Sequence, residues 1–376
     1  MLAPGLGITS APIAAEGPGL ARLEPQTGLY IGVVLGRETS RGKHIKELGF
    51  KPAVVGKFFA MQGNLSENGE LRSFLLECRR HGAIALLTLM PEDGLDKVDE
   101  RRCHELAELC AREEKAGARG IMLRFAHEMN GDWYRWGMQP GLYKRKFRML
   151  SAVIHRTTTR TAMVWAPTEC RGYPFKRHPY SLELDTDRDG KITAADDPYM
   201  PFFPGDDSVD WVGLTFYHWG VKYPWGKNLM PEPNEACRTI YGAGSGFDFY
   251  RTFCLEHQKP MMIAETSAFF NLDAPPGPGE LAIKREWIRQ VFALSSRKGT
   301  RDDADQHQKL KCINWFDTCK REEEVHGNLI DWRISHNRSV RSAFLNALGK
   351  NKTAIWQAGD FMIDAKGRWH RNLRRP

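Results

Sequence analysis

The amino-acid sequence predicts an α/β protein folded as a single closed (β/α)8 TIM barrel, and three observations carry that expectation. Eight short apolar runs recur from residue 29 onward, each continuous rather than alternating, which is how strands buried on both faces read. Amphipathic, helix-like segments lie between them, giving the β/α alternation of a parallel sheet. No break in composition divides the 376 residues, and a barrel of about 250 residues with long loops accommodates such a chain as one domain.

The runs are Leu29–Leu35, Ala53–Ala60, Ala83–Leu89, Gly120–Phe125, Ala162–Ala166, Val209–Phe216, Pro260–Ala264 and Lys311–Phe316. Helices are predicted over Leu71–His81, Val98–Ala116, Leu142–His155 and Ile283–Leu294, where Leu, Ile and Ala recur at helical spacing among charged residues. The gaps between runs lengthen toward the C-terminus, so the later strand-to-helix loops are the elaborated ones. The Ala/Gly/Pro-rich residues 1–24 are expected to be disordered, residues 25–350 to form the barrel with an insertion near 181–200, and residues 351–376 to be an extension.

An apolar fraction of 41% excludes a disordered chain, and no apolar run approaches the roughly 18 residues that span a bilayer. The net charge of +8 comes from scattered basic residues, so neither a nucleic-acid nor a membrane partner is expected. None of the eight cysteines sits in a CxxC pair, which removes zinc-ribbon and thioredoxin readings. No Gly-rich phosphate loop follows a strand, so no organic cofactor is expected. Residues 1–15 hold no Lys or Arg and show no convincing export signal.

In such barrels chemistry sits at the C-terminal ends of the strands. The fourth run leads into Ala126-His127-Glu128-Met129-Asn130-Gly131, and the seventh into Glu265-Thr266-Ser267. A carboxylate directly after a buried run is costly unless paired or used. A structural ion pair, with Arg124 for instance, is the plain reading of one such Glu. Two of them, on the fourth and seventh strands, fit cleavage of a glycosidic bond. One carboxyl is protonated to release the leaving oxygen, and the other is ionised to attack the anomeric carbon. Glu128 and Glu265 are therefore the catalytic candidates. Trp133 and Trp136 follow the first of them, and His218, Trp219 and Trp225 follow the sixth run. Their rings could stack on sugars, the alternative being loop packing.

Between the fifth and sixth runs lies Asp185-Thr186-Asp187-Arg188-Asp189-Gly190-Lys191-Ile192-Thr193-Ala194-Ala195-Asp196. Acidic residues at positions 1, 3, 5 and 12, with Gly at 6, match an EF-hand-type loop closed by Asp instead of Glu. A structural Ca2+ ion is expected there, held by Asp185, Asp187, Asp189, the backbone at Lys191, and Asp196. The alternative is an acidic turn that binds nothing.

The string Arg124–Gly137, RFAHEMNGDWYRWG, resembles the fourth-strand signature of glycoside hydrolase family 26, best known for β-mannanases. IAET at Ile263–Thr266, VDWVGLTFY up to Tyr217, Asn314-Trp315-Phe316-Asp317 and Asp331-Trp332-Arg333 resemble further family elements. The resemblance implies Glu128 as acid/base, Glu265 as nucleophile, and Tyr217 in contact with that nucleophile. It adds His127, Asn130 and Trp315 to the sugar contacts. It also implies net retention of configuration, a polysaccharide substrate, an extracellular setting and a monomer. Many family mannanases carry a Trp-His pair after the third strand; here the chain reads Thr88-Leu89-Met90-Pro91-Glu92-Asp93. Mixed-linkage β-glucan and β-1,3-xylan therefore stand beside β-1,4-mannan as substrates. Two other classes fit the residues less well. A binding barrel without turnover has no use for both Glu128 and Glu265. A metallohydrolase needs His/Asp ligands that the first three strand ends do not supply.

Overall fold

A computed structural model describes residues 19–36, 47–175, 181–221, 223–242, 246–295 and 309–350, together with the backbone of 355–356, 361–363 and 369–371. Eight strands form the barrel: β1 Leu29–Leu35, β2 Val54–Ala60, β3 Ile84–Met90, β4 Ile121–Phe125, β5 Thr161–Trp165, β6 Trp211–Thr215, β7 Met261–Thr266 and β8 Leu310–Phe316. Each pairs in parallel with the next, and β1 closes on β8 from Tyr30↔Cys312 to Val34↔Phe316. The closed (β/α)8 barrel expected from the sequence is the observed fold.

The helices are α1 Gly69–His81, α2 Glu100–Lys115, α3 Pro140–Thr157, α4 Glu235–Tyr241, α5 Glu280–Leu294 and α6 Arg338–Lys350, with a π-helical segment at Tyr250–Glu256. Local chemistry sets their ends. Asn68 and Asp99 accept the amides of Leu71 and Arg102 at the starts of α1 and α2, satisfying otherwise orphaned donors. Gly82 ends α1 in the left-handed conformation. A hairpin, β9 Cys319–Glu322 and β10 Asn328–Asp331, follows β8 on the rim.

The barrel wall separates two hydrophobic clusters. Leu123, Phe125, Ile313 and Trp315 belong to the layer between strands and helices. Met122, Met262, Ala264, Cys312 and Phe316 belong to the barrel interior. Strand alternation assigns these sides, and β7 breaks it. Thr215 pairs with Glu265 where Leu214 pairs with Ile263, so β7 carries one extra residue. Met262 and Ala264 face inward. Glu265 then also faces inward, and Thr266 turns outward to accept the Trp287 indole N–H of α5. A bulge thus re-aims the strand end, as bulges beside sites do.

Of the segment expected to be disordered, residues 1–18 lie outside the described residues, but its last residues are ordered. Leu23 is buried. Arg22 donates to the carbonyls of His155 and Thr161, and its own carbonyl accepts the Trp211 indole N–H. Capping the barrel bottom satisfies these groups and keeps water from the core. In the C-terminal extension, residues 355–356 pair with β1, and residues 361–363 pair with 369–371.

Candidate active site

The β4 end turns sharply after Phe125. Ala126 and Glu128 both have positive φ, 46° and 53°, a strained conformation for residues with a Cβ. Hydrogen bonds hold the turn: Ala126 N–H to Leu89 O and Glu128 N–H to Ala166 O, each 2.9 Å. Asn130 clamps the turn to the β5 exit, donating to Thr168 O and accepting Thr168 N–H, both at 2.9 Å. A side chain at Gly137 would strike the Gly131 carbonyl at 2.1 Å, so this loop closes on itself only with glycine there.

Glu128 and Glu265 meet at the barrel mouth but receive different partners. One Glu265 oxygen accepts from the Arg124 guanidinium, which also donates to Thr215 Oγ1 at 2.6 Å. The other accepts from the Tyr217 hydroxyl at 2.5 Å. Arg124 is fully buried; a cation there requires a partner, and Glu265 supplies it. Burial and the Glu265 charge keep the Tyr217 hydroxyl protonated, well above its usual range.

Glu128 has one donor, the Trp133 indole N–H at 2.8 Å. Its side chain retains some exposure, yet apolar walls surround it. Burial, then the Glu265 charge, push its carboxyl up to about 7, against the opposing pull of Arg124, Trp133 and Lys320. Two neighbouring carboxyls with contrasting environments are the usual arrangement for one acid and one nucleophile.

Several expected sugar contacts are occupied otherwise. Trp315 is fully buried with its ring against Phe344 of α6, 5.4 Å between centroids, and so faces away from the mouth. The inward aromatic on that strand is Phe316, 5.8 Å from the Tyr217 ring. Trp136 is buried, stacks on Tyr134 at 4.4 Å and donates to His127 O. Asn130 uses its amide on Thr168. His218 is buried, with Glu235 Oε2 at 3.0 Å from one ring nitrogen and Leu229 O at 2.9 Å from the other. These four residues hold the loops that hold the site. His127 sits behind Glu128 between Phe58 and Tyr134, with its Nε2 3.3 Å from the Tyr134 hydroxyl. Trp133 and Tyr217 remain at the mouth with the two carboxyls.

Two residues outside the predicted site set belong there. Arg124 was expected only as a structural ion-pair partner for one such Glu, and it pairs with Glu265. Trp332, just past β10, lies 5.0 Å from Tyr217 and donates to Glu322; its placement depends on a hairpin that periodicity does not reveal. Lys320 of β9 pairs with Glu322 at 3.1 Å and lies over the Phe316 ring.

In the acidic loop, carboxylate oxygens of Asp185, Asp187 and Asp189 lie within 4.8 Å of one another. Although the Asp189 amide holds the Asp187 carboxyl down, burial and the charges of Asp189, Asp196 and Asp185 raise it. Oxygens gathered against their own repulsion suit a hard cation. Lys191 donates its amide to Asp189, as the turn requires. Asp196 departs from the expected ligand set. It is buried, and its two oxygens accept Thr186 N–H at 2.6 Å and Thr193 N–H at 2.7 Å. An Asp, one methylene shorter than the usual Glu, thus closes the loop through the backbone.

Comparisons with known proteins agree with the architecture. Residues 92–228 match the model of glycosyl hydrolase family 26, a span that contains Glu128, the acidic loop and Tyr217 and ends before Glu265. Endoglucanase H of Acetivibrio thermocellus is 23% identical over 334 residues, covering 86% of this chain and 31% of the relative. The chain therefore spans about a third of that protein. Among solved structures, GH26C from a Muricauda species has a TM-score of 0.57 at 14% identity, covering 92% of this chain and 91% of its own. A Cellulomonas fimi endo-β-1,4-mannanase double mutant has 0.56 at 15%, covering 89% and 72%. At these identities the structures share the fold.

Proposed function

We propose that this chain, a glycoside hydrolase whose residues 92–228 match the model of glycosyl hydrolase family 26, cleaves internal β-1,4 linkages of a mannan with retention of configuration. The carrying observation is the contrast at the mouth: Glu128 is pushed up to about 7 while Glu265 accepts from Arg124 and Tyr217.

The chemistry runs as follows. Glu128, protonated near neutral pH, gives its proton to the glycosidic oxygen as Glu265 attacks the anomeric carbon. Both Glu265 oxygens accept hydrogen bonds, one from Arg124 and one from Tyr217, which aim the carboxylate at the anomeric carbon. Glu128, now ionised, takes a proton from water, which displaces Glu265 from the sugar. Trp133 orients Glu128 and lies on the leaving-group side. Arg124 and Tyr217 position Glu265.

The test is azide rescue. With an activated aryl β-glycoside, Glu128→Ala plus azide gives a β-glycosyl azide, and a Glu265 variant plus azide gives the α-anomer. The reverse assignment, or rescue of neither, rejects the pair. Glu265→Ala opens the space that azide needs; because it also strands buried Arg124, at a cost of about 3–5 kcal/mol, its melting is measured beside the rescue.

A β-glucan is the second substrate reading. It is supported by the relative named Endoglucanase H and by Thr88-Leu89-Met90-Pro91-Glu92-Asp93, which lacks a Trp-His pair. Hydrolysis of mannan, mixed-linkage glucan and β-1,3-xylan side by side decides among them.

The acidic loop is proposed to bind one structural Ca2+ through Asp185, Asp187, Asp189 and the Lys191 carbonyl. An extracellular, monomeric enzyme is proposed from the family resemblance. No disulfide joins the cysteines among the described residues. Among the described residues no helix is long and apolar enough to cross a membrane.

A further inference from the structure

A chain of aromatic rings leads outward from the Tyr217 side of the mouth. Trp219 packs on Trp332 at 4.8 Å and lies 6.4 Å from Tyr217. Trp225 follows at 6.4 Å from Trp219, and Tyr223 at 5.7 Å from Trp225. Exposure rises along it: Trp219 and Trp225 are partly exposed and Tyr223 is 69% exposed. Exposed aromatics in one continuous file are costly to leave in water without a ligand. Their loop is not loose. The Asn228 side chain donates to Asn271 O at 2.9 Å and accepts Asn271 N–H at 2.8 Å, and the Asn271 side chain donates to Gly226 O at 2.8 Å.

We propose that Trp219, Trp225 and Tyr223 form a platform for the glycone end of the polysaccharide, beyond the sugar attacked by Glu265. This rests on the functional reading above. In a double displacement the sugar that becomes covalently bound lies over the nucleophile, and the leaving group lies toward the acid. The file begins at Tyr217, which bonds Glu265, on loops after β6 and the rim after β10. Trp133, which bonds Glu128, comes from the opposite loop after β4. A file starting beside the nucleophile therefore receives sugars on the non-reducing side. The occupant is uncharged because ring faces dominate: apolar sugar faces cover aromatic planes with no charge to match. Occupied distal subsites make chain length on that side raise the cleavage rate.

The test uses Trp225→Ala and Tyr223→Ala with two substrates, mannohexaose and an aryl β-mannobioside too short to reach either ring. Each variant is expected to lose about tenfold in kcat/KM on the hexaose, carried mainly by KM, with bioside rates and Tm unchanged. In a Glu265→Gln background, the same substitutions should weaken mannohexaose binding by a similar factor. Trp225→Phe should retain most of the hexaose rate. Equal losses on both substrates, or none on the hexaose, overturn the platform. Tyr223, being exposed, keeps the test valid if Trp225→Ala unfolds. Wild type that cleaves neither mannohexaose nor cellohexaose rejects the functional reading and this inference with it. Active wild type with unaffected variants rejects the platform alone.

Discussion

The β4 and β7 ends each deliver a carboxyl to the same mouth, and they do so by different means. At β4 the chain leaves the sheet through two residues in left-handed conformation, and Glu128 arrives with a single donor. At β7 the strand inserts one residue, and Glu265 arrives against a buried cation and a hydroxyl. One end is tethered lightly so its carboxyl can hold and release a proton. The other is fixed so its oxygen stays aimed. The reactive groups differ because the backbone devices beneath them differ.

The strongest way to break the contrast is to remove the cation. Arg124→Met leaves Glu265 buried with only Tyr217, and should lower stability by about 3 kcal/mol or more and kcat at least about a hundredfold. Denaturant unfolding and steady-state kinetics measure both; a stable, active variant would refute the anchoring role.

Next comes the proton on Glu128. Activity should fall as pH rises through about 7, where this carboxyl ionises, and Glu128→Gln should lose turnover of unactivated substrate. Stability follows the same group. Its folded value lies above the ordinary 4.5, so the folded state holds the extra proton and loses stability as pH rises from about 4.5 to 7. Glu128→Gln should therefore be more stable than wild type at pH 8, by about 3 kcal/mol, with the gap closing below pH 4.5. Melting curves across pH decide this; a gap that widens toward acid would contradict it.

Trp133→Phe is a finer probe. It removes the one donor that pulls Glu128 down, so the alkaline limb of the rate profile should move to higher pH, at a cost of about 1 kcal/mol. An unmoved limb would place the Trp133 hydrogen bond outside the acid's control.

The smallest effect on turnover belongs to a region away from both strand ends. Chelator should lower Tm while leaving initial rates at 25 °C nearly unchanged. A site held at a hundredfold excess over its Kd loses about 2.7 kcal/mol. Unchanged melting and ion content would remove the Ca2+ proposal.

Strand existence was legible because burial on both faces leaves continuous apolar runs, and all eight were found within two residues of their observed ends. Side-chain facing was not. Trp315 and Phe316 are adjacent, and only pairing with β1 decides that the phenylalanine looks inward. Likewise Trp136, Asn130 and His218 carry residue types suited to sugars, yet neighbours distant in sequence claim their polar atoms. Asp196 was expected as a ligand from its position in the loop, but its oxygens accept the Thr186 and Thr193 amides, a contact that spacing alone does not reveal. The two carboxyls were identifiable because a charge after a buried run stands out in any register.

The extra residue in β7 ties the site to one backbone irregularity. Under plain alternation the residue after inward Ala264 would look toward the helices, and the bulge alone turns Glu265 to the mouth. A substitution that straightened the strand while keeping its length would leave every recognisable motif in place, and the same barrel would close around a mouth that cannot cut.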